Sequence, residues 1–580
     1  MPSTLSISEL YDAVEQSDKL LTYARQMRVQ AIQAYATRYG YRDDNVARPH
    51  NGTRLFVRTL ATHLHASLPD YDVQSDDPAI RGEAKLYSIL LRRLAEEIGL
   101  ARTIKLAIKD ALLGPFAVIQ LGIRAGAESV LVQHRGANLG QLYARRKSLD
   151  DYCYDPDADD RLEMRWEGIR YAVPRATLAD AGVNTDSIPS LGDQPGRGPL
   201  DGASSVSRGQ QRRGANAAPG VELVQLLDVV YFDSDGRASF VQTLPATRDS
   251  GMGVISEREY AGPERGPFEI LEFDPLPDQA VGVSPVSGQR EQEEDLNAVM
   301  TKAANQARRL RNVLVTSRLM SDQDQAAVQT AEDGTHIVVE DPDDAQTREL
   351  GAISPELPAL ADMFRRQWDE AGGAIGTLSG THSRVRTARQ HMDLQAQAGV
   401  PVDDMAETLE DCHSRIGQHM LWHIMHHPGL TRRMSYKLPG SDVPYELVYS
   451  DEDREGDYLD FRVKVVGRST LRQDPAITGA QLAEIADLTL RWVQVEAQTG
   501  MVDTRGMLRV LGSQFPRIKL ADLVRDPETL AAAQLGSQLA GPPPSQAPAR
   551  RPADLQATAG YGLRPLPSGT RGTRVLGVGA

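Results

Sequence analysis

Cysteine is almost missing from this chain. Cys153 and Cys412 are the only two in 580 residues, too far apart in sequence to form a disulfide framework. A reducing compartment is therefore the simpler setting. Aromatic residues are also scarce, at 5%. A chain this long with so few rings is expected to be largely helical, or to bury surface between subunits. No apolar run approaches the roughly 20 residues that a membrane span requires. The N-terminal residues MPSTLSISELYDAV hold no basic region leading into an apolar run, so no signal peptide is expected. Together these absences predict a soluble protein made inside a cell, with no membrane partner.

Catalytic signatures are missing too. There is no G-x-x-x-x-G-K-[ST], and no G-x-G-x-x-G set between a strand and a helix. A G-x-S-x-G elbow and an H-E-x-x-H pair are likewise absent. If ATP drives any process here, another protein hydrolyses it. The formal net charge of -15 argues against a general, non-specific nucleic-acid binder, although a locally basic element could still touch DNA weakly.

What is present is ordinary in bulk: 41% hydrophobic and 25% charged residues, in a chain long enough for more than one domain. Ser6 and Glu9 have the spacing of a capping box, and residues 10–38 follow with helical periodicity. Further helices are expected at 53–67, 79–98 and 101–113. From Gly114 the texture becomes β-like. PFAVIQLGIR and SVLVQHRG read as a hairpin, and 152–173 as a second β region turning at Asp155-Pro156-Asp157. A short helix is expected at 174–181. Residues 185–220, rich in Gly, Ser, Pro and Arg, read as a loop. VELVQLLDVVYFD, RASFVQTLP and FEILEF resume the strands.

The rest of the chain is arranged around residues 281–427. This stretch opens on Gly282-Val283-Ser284-Pro285 and continues into a polar helical run over 289–311. A small β insert follows, NVLVTSR and THIVVED, then an amphipathic run over 355–372. Next come a Gly/Ser/Thr/Arg loop over 373–389 and a last helix ending in HMLWHIMHH. The first of these helices is polarised, with Glu291, Glu293, Glu294 and Asp295 early and Lys302, Arg308, Arg309 and Arg311 late, as the helix macrodipole favours. A helix so long and polar needs neighbours, and copies of itself around a ring would supply them. Beyond 427, SYKLPG, YELVYS and FRVKVVG read as strands. Residues 477–499 and 504–511 read as helices, and the Gly/Pro/Arg-rich sequence from 541 as a disordered tail.

Three clusters carry candidate chemistry. His419, His423 and His427 recur at four-residue spacing, one face of a helix, with Glu410, Cys412 and His413 upstream. The plainer reading is a helix end whose imidazoles suit the negative end of the dipole, because spacing fixes no further ligand. Asp451, Glu452, Asp453, Glu455 and Asp457 lack the EF-hand pattern and read as a solvated turn, as do Asp341, Asp343 and Asp344. The loop holding His382, Arg384, Arg386 and Arg389 is either an ordinary helix connection or a mobile loop that touches phosphates without reading bases.

The order of these elements, with FEILEFDPLPDQAVGVSP leading from a strand through a Pro-rich turn into the first long helix, resembles the portal (head-to-tail connector) proteins of tailed double-stranded DNA bacteriophages. The resemblance covers residues 60–513. It implies an α+β, mainly helical ring subunit with wing, stem, clip and crown regions. On that pattern 1–286 would be N-terminal helices and an α/β wing, 287–311 the first stem helix, 312–353 the clip and 354–372 the second stem helix. Residues 373–389 would be the tunnel loop, 390–470 a long wing helix with returning strands, 471–540 the crown and 541–580 the tail. The loop at 185–220 has no place in the pattern, and Pro401 leads us to expect a break in the long helix.

The resemblance further implies a ring, usually of about twelve subunits, at one capsid vertex, assembled in the host cytoplasm and kept in the virion. Double-stranded DNA would pass through its channel without being read. The terminase large subunit, major capsid and scaffolding proteins, and tail adaptor proteins would be its partners. No cofactor, metal or catalytic residue is implied. DNA-channel positions would be His382, Arg384, Arg386 and Arg389 on the tunnel loop, with Lys302, Arg308, Arg309 and Arg311 on the stem. Asp341, Asp343 and Asp344 would offer a partner contact on the clip. Two readings from other classes stay open: a metal-dependent enzyme using His419, His423 and His427, and a helical scaffold that multimerises without DNA.

Overall fold

A computed structural model describes residues 5–36, 51–65, 67–123, 141–180, 222–246, 253–277, 279–309, 311–316, 345–350, 354–372, 388–427, 432–437, 444–449 and 457–465, with isolated positions between them. Among the described residues the chain is a mixed α/β protein with eight α-helices and several sheets, and about half of these residues are helical.

Helix α1 (Ile7–Tyr35) begins on the expected capping box. Ser6 Oγ accepts from the Glu9 amide at 3.3 Å, and Glu9 Oε2 accepts from the Ser6 amide at 2.8 Å. Leu10, Val14 and Leu21 bury one face of α1 in apolar clusters, and charged contacts add fixed points. Asp18 takes both arms of the Arg170 guanidinium, at 2.9 and 2.8 Å, and Arg25 at 2.8 Å. Burial alone would raise the Asp18 carboxyl, but Arg170 and Arg25 outweigh it and hold the group below its ordinary range. One turn on, Arg28 is buried between Asp110 and Asp150.

The largest apolar core gathers α2 (Gly52–Leu64), α3 (Arg81–Glu97) and α4 (Leu100–Leu113). α4 is its axis, because Leu100, Ile104, Ala107, Ile108 and Ala111 follow helical spacing and are fully buried. Strand β1 (Tyr71–Ser75) lies between α2 and α3. On one side the core meets a three-stranded antiparallel sheet, β3–β2–β9, made of β2 (Ala117–Ile123), β3 (Leu142–Lys147) and β9 (Phe268–Leu271). The expected partner SVLVQHRG lies outside the described residues. The observed partner β3 carries Arg145, Arg146 and Lys147, a polar run that conceals a strand.

A five-stranded antiparallel sheet forms the second body. Its order is β4 (Tyr152–Tyr154), β5 (Trp166–Pro174), β6 (Leu223–Phe232), β7 (Ala238–Pro245) and β8 (Ser256–Glu259). The short helix α5 (Arg175–Asp180) follows β5 as expected. β6 is buried almost throughout, in keeping with a sequence that is apolar apart from Gln225 and Asp228.

From β9 the chain crosses the Pro-rich turn into α6 (Ser287–Arg309), the paired antiparallel strands β10 (Arg311–Thr316) and β11 (Ala345–Leu350), and α7 (Glu356–Ala371). The expected strand THIVVED lies outside the described residues. Helix α8 (Ala388–His426) then runs 39 residues. The expected break at Pro401 is not there: the helix continues through it. Pro401 lies on the exposed side, where water can satisfy the carbonyl one turn back that loses its amide partner. After α8 come β12 (Arg432–Lys437), β13 (Pro444–Tyr449) and β14 (Phe461–Val465). β12 and β13 form a hairpin, and β14 returns to pair antiparallel with β1, Val73 opposite Val463. The readings at 185–220, 477–499, 504–511 and the tail fall outside the described residues.

α8 approaches the β1–β14 ribbon at Gly417. A Cβ there would stand 2.7 Å from Val463 Cγ1 and 2.8 Å from the Tyr71 ring. Gly417→Val gains helix propensity of about 0.5 kcal/mol, but overpacking against a fixed ribbon costs roughly 1–3 kcal/mol. The variant is expected to unfold at lower denaturant than the parent; an unchanged midpoint would show that α8 and the ribbon do not touch here.

Candidate functional site

The turn into α6 is set by packing. A Cβ on Gly282 would fall 2.3 Å from the Asp274 carbonyl oxygen, so the chain can double back there only with glycine. Two residues on, Ser284 Oγ donates to the Leu112 carbonyl at the end of α4 at 2.9 Å. Pro285 follows, and α6 begins at Ser287. The Gly-x-Ser-Pro run thus fastens the start of α6 to the central helix.

α6, the β10–β11 strand pair and α7 form an out-and-back arm. At the far end the Ser354 amide donates to Gln306 Oε1 at 3.1 Å, which joins the last turn of α6 to the entry of α7. At the near end both helices meet the first turn of α2. Glu293 of α6 accepts from the Gly52 and Thr53 amides, each at 3.1 Å, and from the Thr53 hydroxyl. Trp368 of α7 lies over Gly52, whose missing side chain leaves room for the indole. Glu293 is buried. Burial raises its carboxyl above the ordinary range against the pull of the Thr53 and Gly52 donors, and neighbouring Glu294 adds to the rise. Arg290 ties the same turn to α1 through Gln30 and Met27.

Away from this base the arm is open. In α7 only Leu357 and Trp368 are buried, and Leu360 and Met363 are exposed, as is Met300 of α6. Asp362, Arg366 and Glu370 alternate in sign at four-residue spacing along exposed α7.

The expected DNA-channel positions are only partly described. Lys302 is exposed on α6, and Arg308 and Arg309 close that helix. Arg311, expected at the helix end, instead opens β10 opposite Leu350, because the helix stops at Arg309 and the β ladder begins at Arg311. Arg389, expected on the loop, lies in the first turn of α8. His382, Arg384 and Arg386, and the acidic positions Asp341, Asp343 and Asp344, lie outside the described residues. Glu293 and Trp368 were not singled out from sequence as an anchor. Glu293 sat among acidic residues that the macrodipole already explained, and its partners are some 240 residues away.

The histidine face of α8 is placed more fully. Ring centroids of His419 and His423 are 5.2 Å apart, and those of His423 and His427 are 5.5 Å apart. Among the described residues no group of three His, Cys, Asp or Glu side chains converges as a metal site would. His413, His419 and His423 are instead buried in the core, their ring nitrogens without hydrogen bonds within the described structure. His419 Nδ1 comes to 3.9 Å from buried Glu269, beyond hydrogen-bond reach. Burial pushes the His413 imidazole down to about 3, with nearby His65 adding to the effect. Burial also holds His423 well below its ordinary value.

No helix among the described residues is long and apolar enough to cross a membrane. Compared with known proteins, the chain matches no family model and no curated protein.

Buried neutral imidazoles make the core sensitive to acid. A base whose folded pKa is depressed contributes stability above its ordinary value of 6.5, and that stability is lost as pH falls from there toward the folded value. His413 alone accounts for a loss of about 2 kcal/mol between about pH 7 and about pH 5. Denaturant titrations over that window should show falling stability for the parent, and a slope shallower by about one proton for His413→Leu. Equal slopes would mean that His413 is not buried as described.

Proposed function

We propose that this chain is the subunit of a bacteriophage portal, a ring at one capsid vertex through which double-stranded DNA is packaged and ejected. The observation that carries the reading is the arm. Two helices separated by an antiparallel strand pair leave a mixed α/β body through a Pro-rich turn, are clamped at one end by Glu293 and Trp368, and leave much of their outer faces exposed. A long helix then returns across the body. This is the order of elements by which the sequence resembles portal proteins, with α6 and α7 as stem helices and β10–β11 as the root of the clip.

Physical considerations support the same reading. Leu360 and Met363 form an exposed apolar pair one turn apart on α7, beside the alternating charges of Asp362, Arg366 and Glu370. Such a face suits an identical neighbour, since apolar contacts lose water and each acid of one copy can meet a base of the next. The overall charge of -15 suits a conduit. A wall that neutralised many phosphates would bind DNA by counterion release and hold it in place. A few cations, Lys302 and the arginines at the α6 end with those of the 373–389 loop, would give intermittent contact. On this proposal the ring works in the virion and is assembled in the host cytoplasm. Its partners are the terminase large subunit, capsid and scaffolding proteins, and tail adaptors, with Asp341, Asp343 and Asp344 as a terminase-facing patch. A metal-dependent enzyme on the His419, His423 and His427 face has less support, because His419 and His423 are buried within the core, His427 is only half-buried, and no metal-like group converges among the described residues.

Sedimentation velocity tests the arm face. The parent should sediment as a large closed oligomer at micromolar concentration. Leu360→Glu with Met363→Glu should shift it to subunits with unchanged circular dichroism. A monomeric parent, or a double variant that assembles as well as the parent, would contradict the proposal.

A further inference from the structure

The two sheets of the body meet at a buried carboxylate that the proposed function does not use. Glu167 lies on β5, inside the five-stranded sheet, with its side chain 1% exposed. Its Oε2 accepts from the Tyr152 hydroxyl of β4 at 2.9 Å and lies 3.6 Å from the Arg161 guanidinium. Its Oε1 is buried with no hydrogen-bond partner among the described residues. That oxygen faces Gly266, whose φ of +83° suits glycine and where a Cβ would stand 2.9 Å away. A cavity of about 60 Å³ lies alongside. Met164, Phe232 and Phe268 wall its apolar side, and Arg161, Arg265 and Glu269 its polar side. Phe268 and Glu269 belong to β9, so the cavity straddles the seam between the sheets.

Charged and titratable groups reach Glu167 from every element around the seam. Tyr152 comes from β4, Arg161 from the turn at Arg161–Glu163, Tyr260 from the end of β8, Arg265 from the turn before β9, and Glu269 from β9 itself. Behind Glu269 stand Arg415, at 3.2 Å, and His419 of α8. Arg161 is the nearest cation, but its side chain is 31% exposed and it also donates to the Phe268 carbonyl. Its charge is shared with water and with a backbone acceptor. Burial therefore prevails at Glu167 and pushes the carboxyl up to about 7, Glu269 adding to the rise while Arg161 and Tyr152 offset part of it. Glu269 differs: burial opposes its ionisation too, but His419, Arg161 and Arg415 hold it down at about 2.

We propose that Glu167 is a proton-operated latch on this seam, stable in the closed seam while it carries its proton and loosening the contact between β5 and β9 when it loses it. The latch joins the five-stranded sheet to the sheet on which α8 rests, because Arg415 of α8 binds both Glu269 and the Ile270 carbonyl of β9.

Native-state hydrogen exchange of the full chain, read by mass spectrometry and corrected for intrinsic amide rates, tests this. An acid with a raised folded pKa contributes stability that is present below its ordinary value and lost as pH rises through the folded one. Protection at Trp166–Pro174 and Phe268–Leu271 should fall about tenfold between about pH 6 and about pH 8. Glu167→Gln, neutral throughout, should hold the lower-pH level at both. Glu272 is raised to about 6 by burial, so Glu272→Gln serves as the comparison and should keep the parent's dependence. A parent whose protection does not change would overturn the latch even if Glu167→Gln failed to fold. So would a Glu167→Gln chain that keeps the tenfold fall, or a Glu272→Gln chain that loses it.

Discussion

A helix N-terminus presents unpaired amides and the positive end of a dipole, and α2 offers its own to Glu293. That carboxylate is buried, so its interaction with the Gly52 and Thr53 donors is not screened as a surface pair would be. Removing it would leave those donors without an acceptor, a loss of roughly 1–3 kcal/mol. With Trp368 against Gly52, it fixes both helices of the arm to the body at one point. Among the described residues, the arm distal to that point is held by helix-on-helix contact and a two-stranded ladder, which in water is marginal in isolation. The arm as described is thus anchored at its base and incomplete along its length, and this asymmetry is the physical ground for reading the chain as one copy among several.

The body supplies the rigidity that such an anchor needs. α4 is buried along a full face, β6 on nearly every residue, and α8 lies against the ribbon of β1 and β14. Polar groups inside this body are arranged by charge: Asp18 with Arg170 and Arg25, Arg28 with Asp110 and Asp150, Glu269 with Arg415. Glu167, His413 and His423 depart from that pattern. They are buried titratable groups whose environment favours the neutral form, and they make the body responsive to pH from opposite directions.

Local pattern made much of the fold legible. Helices α1 to α4, α6 and α7 lie within about three residues of where periodicity and capping put them, and the Ser6–Glu9 box has the expected geometry. What the sequence concealed was non-local or polar. β1 is a short alternating run whose partner β14 lies nearly 400 residues away. β3 reads LYARRK and β8 reads SERE, runs in which charge hides the alternation. Pro401 argued for a break that an exposed position on a well-buried helix does not require. Of the candidate site, the helix-end cations could be anticipated from macrodipole logic. The anchor could not, since nothing in a run of four acidic residues singles out the one that caps a distant helix.

The central claim is that copies of this chain close into a ring around a duplex-sized channel, and end-on electron micrographs of the purified full-length protein test it most directly. The account predicts rings with a central hole wide enough for a DNA duplex. Monomers, compact dimers or closed particles without a channel would contradict it.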